Sequence, residues 1–483
     1  MSPARRALRD PESARITFLG AAREVTGSRF LVETAQSSVM VDFGLLQGGR
    51  TAELRNREPL PADFAELDAV VLTHAHIDHS GLLPKLCRDR YQGPIHMTEG
   101  TAALCGLLLR DSGYIHEQDA EHENRRRQRR GGKPLEPLYT VKDAEACLGQ
   151  IEAHPFEEWV SVAPDVSVRF WPAGHILGAA SVEMKLPGDR IAVFSGDIGR
   201  RKDPIQADPK VPARADLILM ESTYGDRNHR NLEETLEEFA AILEEAREAR
   251  DNVLIPVFAV GRAQQVLYFL GELHRAGRLQ PGQIYLDSPL AIEATETYRR
   301  HFELLRASVR EEIRGDLVPT GDIGVKFCRT PEESMALNNA RGAIILAGSG
   351  MCEGGRIRHH LKHHLWRKMT HVVIVGFQPR GTLGRRLVDG ASQVKLFGES
   401  VIVRAKIHTL GGFSAHADQS GLLAWLDKFQ GGTPGLALVH GEEDKMDVLE
   451  MAIKEHKGWP CWKPRRGDCW IIPKSGPVKI PEQ

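Results

Sequence analysis

The run Thr73-His74-Ala75-His76-Ile77-Asp78-His79 constrains this chain more than any other stretch. It crowds metal-binding side chains into one short loop directly after an apolar segment, Ala69-Val70-Val71-Leu72. In extended backbone, residues two apart point to the same side, so His74 and His76 can converge on one ion. Ile77 then turns the chain, and Asp78 with His79 can face a second ion. Neutral imidazole and carboxylate are donors that suit zinc or a similar divalent metal. A lone His-x-His is more often a polar turn than a site. The added Asp-His disfavours that bland reading and calls for further ligands from distant parts of the chain.

Composition narrows the class. At 483 residues the chain is too long for one ordinary core, so two compact bodies are expected. Lys+Arg 63 against Asp+Glu 65 leave a formal net charge of -2, so any polyanion has to be held by a local groove rather than a bulk basic field. Residues 1–11 are charged without an apolar signal core, and no stretch is long and apolar enough to cross a bilayer. A soluble, cytoplasmic protein is expected. The cysteines at 87, 105, 147, 328, 352, 461 and 469 are scattered and contain no Cys-x-x-Cys, which argues against a disulfide framework or a cysteine zinc knot.

Along the chain, short β-branched strands alternate with longer amphipathic helices. Ile16 to Gly20, Arg29 to Glu33, Ser38 to Asp42 and Ala69 to Leu72 read as strands, as do Val166 to Trp171, Arg190 to Phe194 and Asp216 to Met220. A helix is expected from about Thr101 to Arg130. Its basic end, residues 125–130, follows Glu117, Asp119, Glu121 and Glu123, so a solvated helix end is favoured over an RNA-touching arm. Two strands run through glycine into a polar residue: Ala173-Gly174-His175 and Ser195-Gly196-Asp197. Glycine frees the backbone just before each side chain, which suits ligands projected from strand ends. His74, His76 and His175 then form one ion site, Asp78 and His79 another, and Asp197 a bridge.

These residues resemble a known family. Asp42, the His74 to His79 run, His175 and Asp197 look like the successive motifs of the metallo-β-lactamase fold. Met220-Glu221-Ser222-Thr223-Tyr224-Gly225, Phe413-Ser414-Ala415-His416-Ala417-Asp418 and Leu438-Val439-His440-Gly441-Glu442 resemble motifs A, B and C of its β-CASP branch of nucleases. The resemblance runs from about Ile16 to about Pro473. It implies a four-layer αββα metallo-β-lactamase domain with an inserted α/β β-CASP domain: 1–224 as the first part, 225–400 as the insertion and 401–483 as the return.

The resemblance also implies roles. The expected reaction is hydrolysis of RNA phosphodiester bonds by a hydroxide held between two divalent ions, taken to be zinc. His74, His76, Asp78, His79, His175, Asp197 and His440 are the expected ligands, with His440 on the second ion. His416 would be the general acid, aimed by Glu221, with Asp197 also in the catalytic set, and Asp42 would orient the ligand loop from behind. Gly348, Ser349, Gly350 and Met351 would offer amides to the substrate phosphates. Arg385, among the cations Arg356, Arg358, Lys362, Arg380 and Arg386, would track the backbone. The histidines of His359-His360-Leu361-Lys362-His363-His364 read as surface and groove residues. Single-stranded RNA is the expected partner, because DNA-specific members of the branch tend to carry an apolar residue where His440 stands; a homodimer is allowed. The competing readings are a DNA exonuclease or repair nuclease of the same fold, and a non-catalytic RNA-binding subunit.

Overall fold

The computed structural model describes residues 13–280, 282–313, 323–379 and 381–479. The charged start of the chain and Arg380 lie outside them. The described residues form two compact units: residues up to 202, 207–228 and from 416 onward make the first, and residues 203–206 with 229–415 make the second.

Two mixed sheets build the first unit. In one, the spatial order is Cys469–Ile472, Ala14–Phe18, Phe30–Glu33, Ser38–Val41, Ala69–Val71, Ile95–Thr98, Ile151–His154. In the other it is Gly435–Val439, Leu217–Glu221, Arg190–Phe194, Ala180–Leu186, Val166–Pro172, Trp159–Ala163. Alternate residues of both sheets, among them Ile16, Val32, Val41 and Val71 of the first and Val168, Val182, Phe194 and Leu219 of the second, share one buried core. The period of two along each strand sends these side chains inward together. On the far face of the second sheet, Val193, Ile218, Met220 and Leu438 pack against Leu422 and Trp425 of the helix Gln419–Leu426 and Met446 and Leu449 of the helix Glu443–Lys457. The helix Glu99–Gln128 lies against strands Ile95–Thr98 and Ile151–His154 of the first sheet. Helix, sheet, sheet and helix thus form four layers, as expected.

The C-terminal part of the chain completes both sheets. Cys469–Ile472 pairs antiparallel with Ala14–Phe18, and Gly435–Val439 pairs parallel with Leu217–Glu221. The long helix begins at Thr98, whose side chain accepts from the Thr101 amide. Its basic end is solvated, with Arg125 on Glu121 and Arg127 on Glu123 one turn back.

The second unit is an α/β body around a parallel sheet in the order Val325–Phe327, Gln283–Asp287, Ala343–Ala347, Asn252–Pro256, Thr370–Ile374, Lys406–Thr409. Its helix Leu232–Ala249 starts at Asn231, whose side chain accepts from the amides of Glu233 and Glu234. The unit extends to Ala415 because Lys406–Thr409 pairs with residues 371–374 of its sheet. One expectation fails here. His360 and His364 are buried, not on the surface. His360 Nε2 lies 2.6 Å from Asp287 Oδ2 and His364 Nδ1 lies 3.3 Å from Asn252 Nδ2, so one ring nitrogen of each buried histidine on the helix Ile357–His364 is answered from a neighbouring strand.

Candidate metal centre

Strand ends deliver the site. The histidine loop follows Ala69–Val71, His175 follows Val166–Pro172, Asp197 follows Arg190–Phe194, Glu221 closes Leu217–Glu221 and His440 follows Gly435–Val439. Gly174 and Gly196 have φ of 72° and 55°, and a Cβ on Gly174 would stand 2.5 Å from the Ala207 carbonyl, so both the backbone sign and the space call for glycine there. Asp42 and His440 hold φ of 57° and 50°, a left-handed conformation that costs a non-glycine residue energy and persists only where surrounding contacts enforce it.

Four donors converge first. His76 Nδ1 is 3.1 Å from His74 Nε2 and 3.2 Å from His175 Nε2, and Asp197 Oδ2 is 3.3 Å from His74 Nε2 and 3.5 Å from His175 Nε2. Donors 2.0–2.1 Å from a tetrahedral ion stand roughly 3.3 Å from one another, so this spacing fits a zinc-like cation. The second group is Asp78, His79 and His440. His440 Nε2 lies 3.4 Å from Asp78 Oδ2 and 3.6 Å from Asp197 Oδ1, which is itself 3.2 Å from His79 Nε2. His79 Nε2 and Asp197 Oδ1 are buried and 3.2 Å apart without the alignment of a hydrogen bond, as expected of two atoms that would share a cation. Each oxygen of Asp197 therefore faces a different group.

Neighbouring side chains aim the rings. Asp42 accepts from the Thr73 amide at 2.8 Å and the Thr73 hydroxyl at 3.0 Å, and it lies 2.7 Å from His79 Nδ1, which leaves His79 Nε2 for the cluster. Thr223 does the same for His440. Its hydroxyl donates to Glu221 Oε2 at 2.6 Å, and a hydroxyl has one proton, so the 3.2 Å contact with His440 Nδ1 is Nδ1–H donating to Thr223 Oγ1. That leaves Nε2 facing Asp78 at 3.4 Å. Sequence reasoning passed over Thr73 and Thr223. Thr223 was findable, since it stands two residues from Glu221 and so shares its side of an extended segment. Thr223→Val is expected to weaken zinc binding at the second group by about 10–100-fold in competition with a chelator, and Thr223→Ser to restore it. Unchanged zinc affinity in Thr223→Val would remove threonine from the ligand-aiming set.

Electrostatics separate the histidines. Burial keeps His74 and His175 below their ordinary range and takes His76 down to about 3, so these rings are neutral and can donate lone pairs. Burial also disfavours charge on His79 and His440. Asp197 outweighs it, with Asp42 beside His79 and Asp78 beside His440, and raises both; theirs are the protons a cation would displace. Burial alone would push the Asp197 carboxyl up, yet the surrounding histidines, His440 and His79 foremost, hold it well below the carboxylate range.

His416 sits apart from the two donor groups. Its Nδ1 lies 3.2 Å from Glu221 Oε2, and Nε2 is 3.9 Å from Asp197 Oδ2. Burial opposes its charge, but Glu221 and Asp197 raise it to about 9. Glu221 is fully buried and fixed by the Ile198 amide as well as by Thr223. The backbone beside His416 is tied down by the Ala417 amide donating to the Ile198 carbonyl at 2.7 Å.

The remaining expected site residues belong to the second unit. Gly348, Ser349, Gly350 and Met351 follow the strand Ala343–Ala347. The Ser349 amide donates to the Gly354 carbonyl at 3.1 Å, so it is already engaged. Arg385 pairs with Asp389 at 2.8 Å, Arg356 with Asp287 at 2.6 Å and Lys362 with Glu399 at 2.7 Å, while Arg358 covers the Phe397 ring.

A sandwich with His and Asp donors gathered at its strand ends defines a metal-binding hydrolase fold, and comparison of the sequence with family models agrees. Residues 29–255 match a β-lactamase superfamily domain, 263–387 a β-CASP domain and 400–464 a Zn-dependent metallo-hydrolase RNA specificity domain. The chain belongs to the β-CASP family of the β-lactamase superfamily. It is 42% identical over 436 residues to Ribonuclease TTHA0252 of Thermus thermophilus, spanning 90% of this chain and 95% of the relative. It is 32% identical over 465 residues to Transcription termination factor FttA of Thermococcus kodakarensis, spanning 92% of this chain and 68% of that protein. A crystal structure of a protein of unknown function from Enterococcus faecalis V583 shares the fold at a TM-score of 0.53 with 13% identity, covering 95% of this chain and 100% of that one.

Proposed function

We propose that this chain is a ribonuclease that holds two divalent ions, zinc by preference, and hydrolyses phosphodiester bonds of single-stranded RNA. In this reading His74, His76 and His175 would hold one ion and Asp78, His79 and His440 the other, with Asp197, whose two oxygens face the two groups, serving both. The observation that carries the reading is His416, a histidine held by a buried carboxylate beside the double donor cluster. When bound, two such cations supply positive charge against a phosphate oxygen and make water acidic enough to serve as nucleophile near neutral pH.

The chain's own groups do the rest. Glu221 stabilises the imidazolium of His416 and turns its Nε2 toward the cluster, so the proton is delivered from that atom to the departing oxygen. The products are then a 3′-hydroxyl and a 5′-phosphate. Gly348 to Met351 and Arg385 position the RNA backbone in this reading, with Arg385 exchanging Asp389 for a phosphate. The name of the Thermus relative and the RNA specificity match over 400–464 favour RNA as substrate. Among the described residues no helix is long and apolar enough to cross a membrane, and the seven cysteines are unpaired, which suits a reducing cytoplasm.

The test is to incubate zinc-loaded and manganese-loaded protein with end-labelled single-stranded RNA, single-stranded DNA and duplex DNA. Metal-dependent cutting of RNA is the expected outcome. DNA cut while RNA stays intact would make the protein a DNA nuclease, and RNA bound without cutting would make it a non-catalytic subunit.

A further inference from the structure

We propose that His96, Glu152 and His154 form a third divalent-cation site, sharing no residue with the double cluster and taking an ion of the zinc class. The strands Ile95–Thr98 and Ile151–His154 run parallel as neighbours, with His96 opposite Glu152 and Thr98 opposite His154. Glu152 and His154 are two apart and share one face of their strand, and His96 joins them from across. His96 Nδ1 lies 2.9 Å from His154 Nε2 and 3.5 Å from Glu152 Oε2. The 3.5 Å distance equals the longest in the first donor group of the main cluster, and the 2.9 Å distance is shorter than the 3.1 Å minimum there.

A single proton on His96 Nδ1 reaches Glu152 only as the long 3.5 Å arm of a bifurcated hydrogen bond, whereas a cation takes one donor atom from each of the three side chains. A cation resolves the convergence of three electron-rich atoms. Two imidazoles and a carboxylate are a zinc-type donor set, and three protein ligands leave one position for water.

The rings are placed in advance. His96 is buried, and the His154 ring lies at 10° to the Phe170 ring with centroids 6.1 Å apart. Glu152 is exposed and gives the ion its route in from solvent. Ile151–His154 is the edge strand of the seven-stranded sheet, so an ion here clasps that edge to its neighbour. The bound ion stabilises the fold in proportion to the logarithm of its concentration.

The experiment uses full-length protein, wild type and the double variant Glu152→Ala/His154→Ala, which spares buried His96. Both are incubated with zinc chloride, passed through a desalting column and assayed for zinc per chain; thermal midpoints are recorded across a zinc titration. The wild type is expected to hold one equivalent more than the variant and to show a zinc-dependent rise in midpoint that the variant lacks. Equal zinc content and equal zinc-dependent midpoints in the two proteins would overturn the site. Because neither substitution touches the double cluster, RNA cleavage by the variant reports on the proposed function separately.

Discussion

His416→Ala is expected to cut RNA about 10²–10⁴-fold more slowly while keeping both ions, because general acid catalysis contributes on that scale and His416 belongs to neither donor group. The loss depends on the leaving group. A nitrophenyl phosphodiester departs without a proton, so His416→Ala should hydrolyse it at close to the wild-type rate. The wild type should also show an alkaline limb in its pH–rate profile. His416 is protonated below its raised pKa of about 9, so the acid form is lost as pH rises through that value, and cations bound at the two donor groups would draw the limb below 9. Glu221→Gln removes the larger of the charges that raise His416 and should move the limb further toward neutrality, with a milder rate loss. If His416→Ala cleaves RNA at the wild-type rate, or loses metal, the histidine is not the acid.

Asp197→Ala is expected to reduce metal binding as well as cleavage. Its two oxygens face His74 and His175 on one side and His79 and His440 on the other, so the substitution unlinks both groups at once. Metal content by elemental analysis should fall well below two ions per chain. RNA cleavage should fall by roughly 10³-fold or more, since the charge stabilisation supplied by paired ions is worth several kcal/mol. The thermal midpoint of the metal-free variant, compared with metal-free wild type, separates this from simple unfolding. A variant that keeps two ions and cleaves normally would remove Asp197 from the centre.

Much of the site was legible because its signals are local. The alternation in His74-Ala75-His76 and the glycines before His175 and Asp197 describe backbone geometry within a few residues, and the structure brings those four side chains together within hydrogen-bonding range. His416, Glu221 and His440 gave no comparable local signal and were reached only through resemblance. Asp78 and His440 are 362 residues apart, and Glu221 and His416 are 195 apart. The histidines 359–364 misled for the opposite reason. Their polar composition suggested solvent, but Asp287 and Asn252 approach from neighbouring strands and answer one ring nitrogen of each of His360 and His364, which lowers the cost of burying them.

The sequence by itself determined strand ends, helix starts and the donors available, since dihedral freedom, capping and side-chain period depend on residues close together in the chain. Only the tertiary structure decided which donors meet. That choice follows from the order in which strands pair: Gly435–Val439 docks on Leu217–Glu221, carrying His440 to Thr223, and Ile151–His154 docks on Ile95–Thr98, carrying Glu152 and His154 to His96. Pairing order is settled by burial of apolar faces over the whole molecule, a cooperative quantity that no short window of sequence contains.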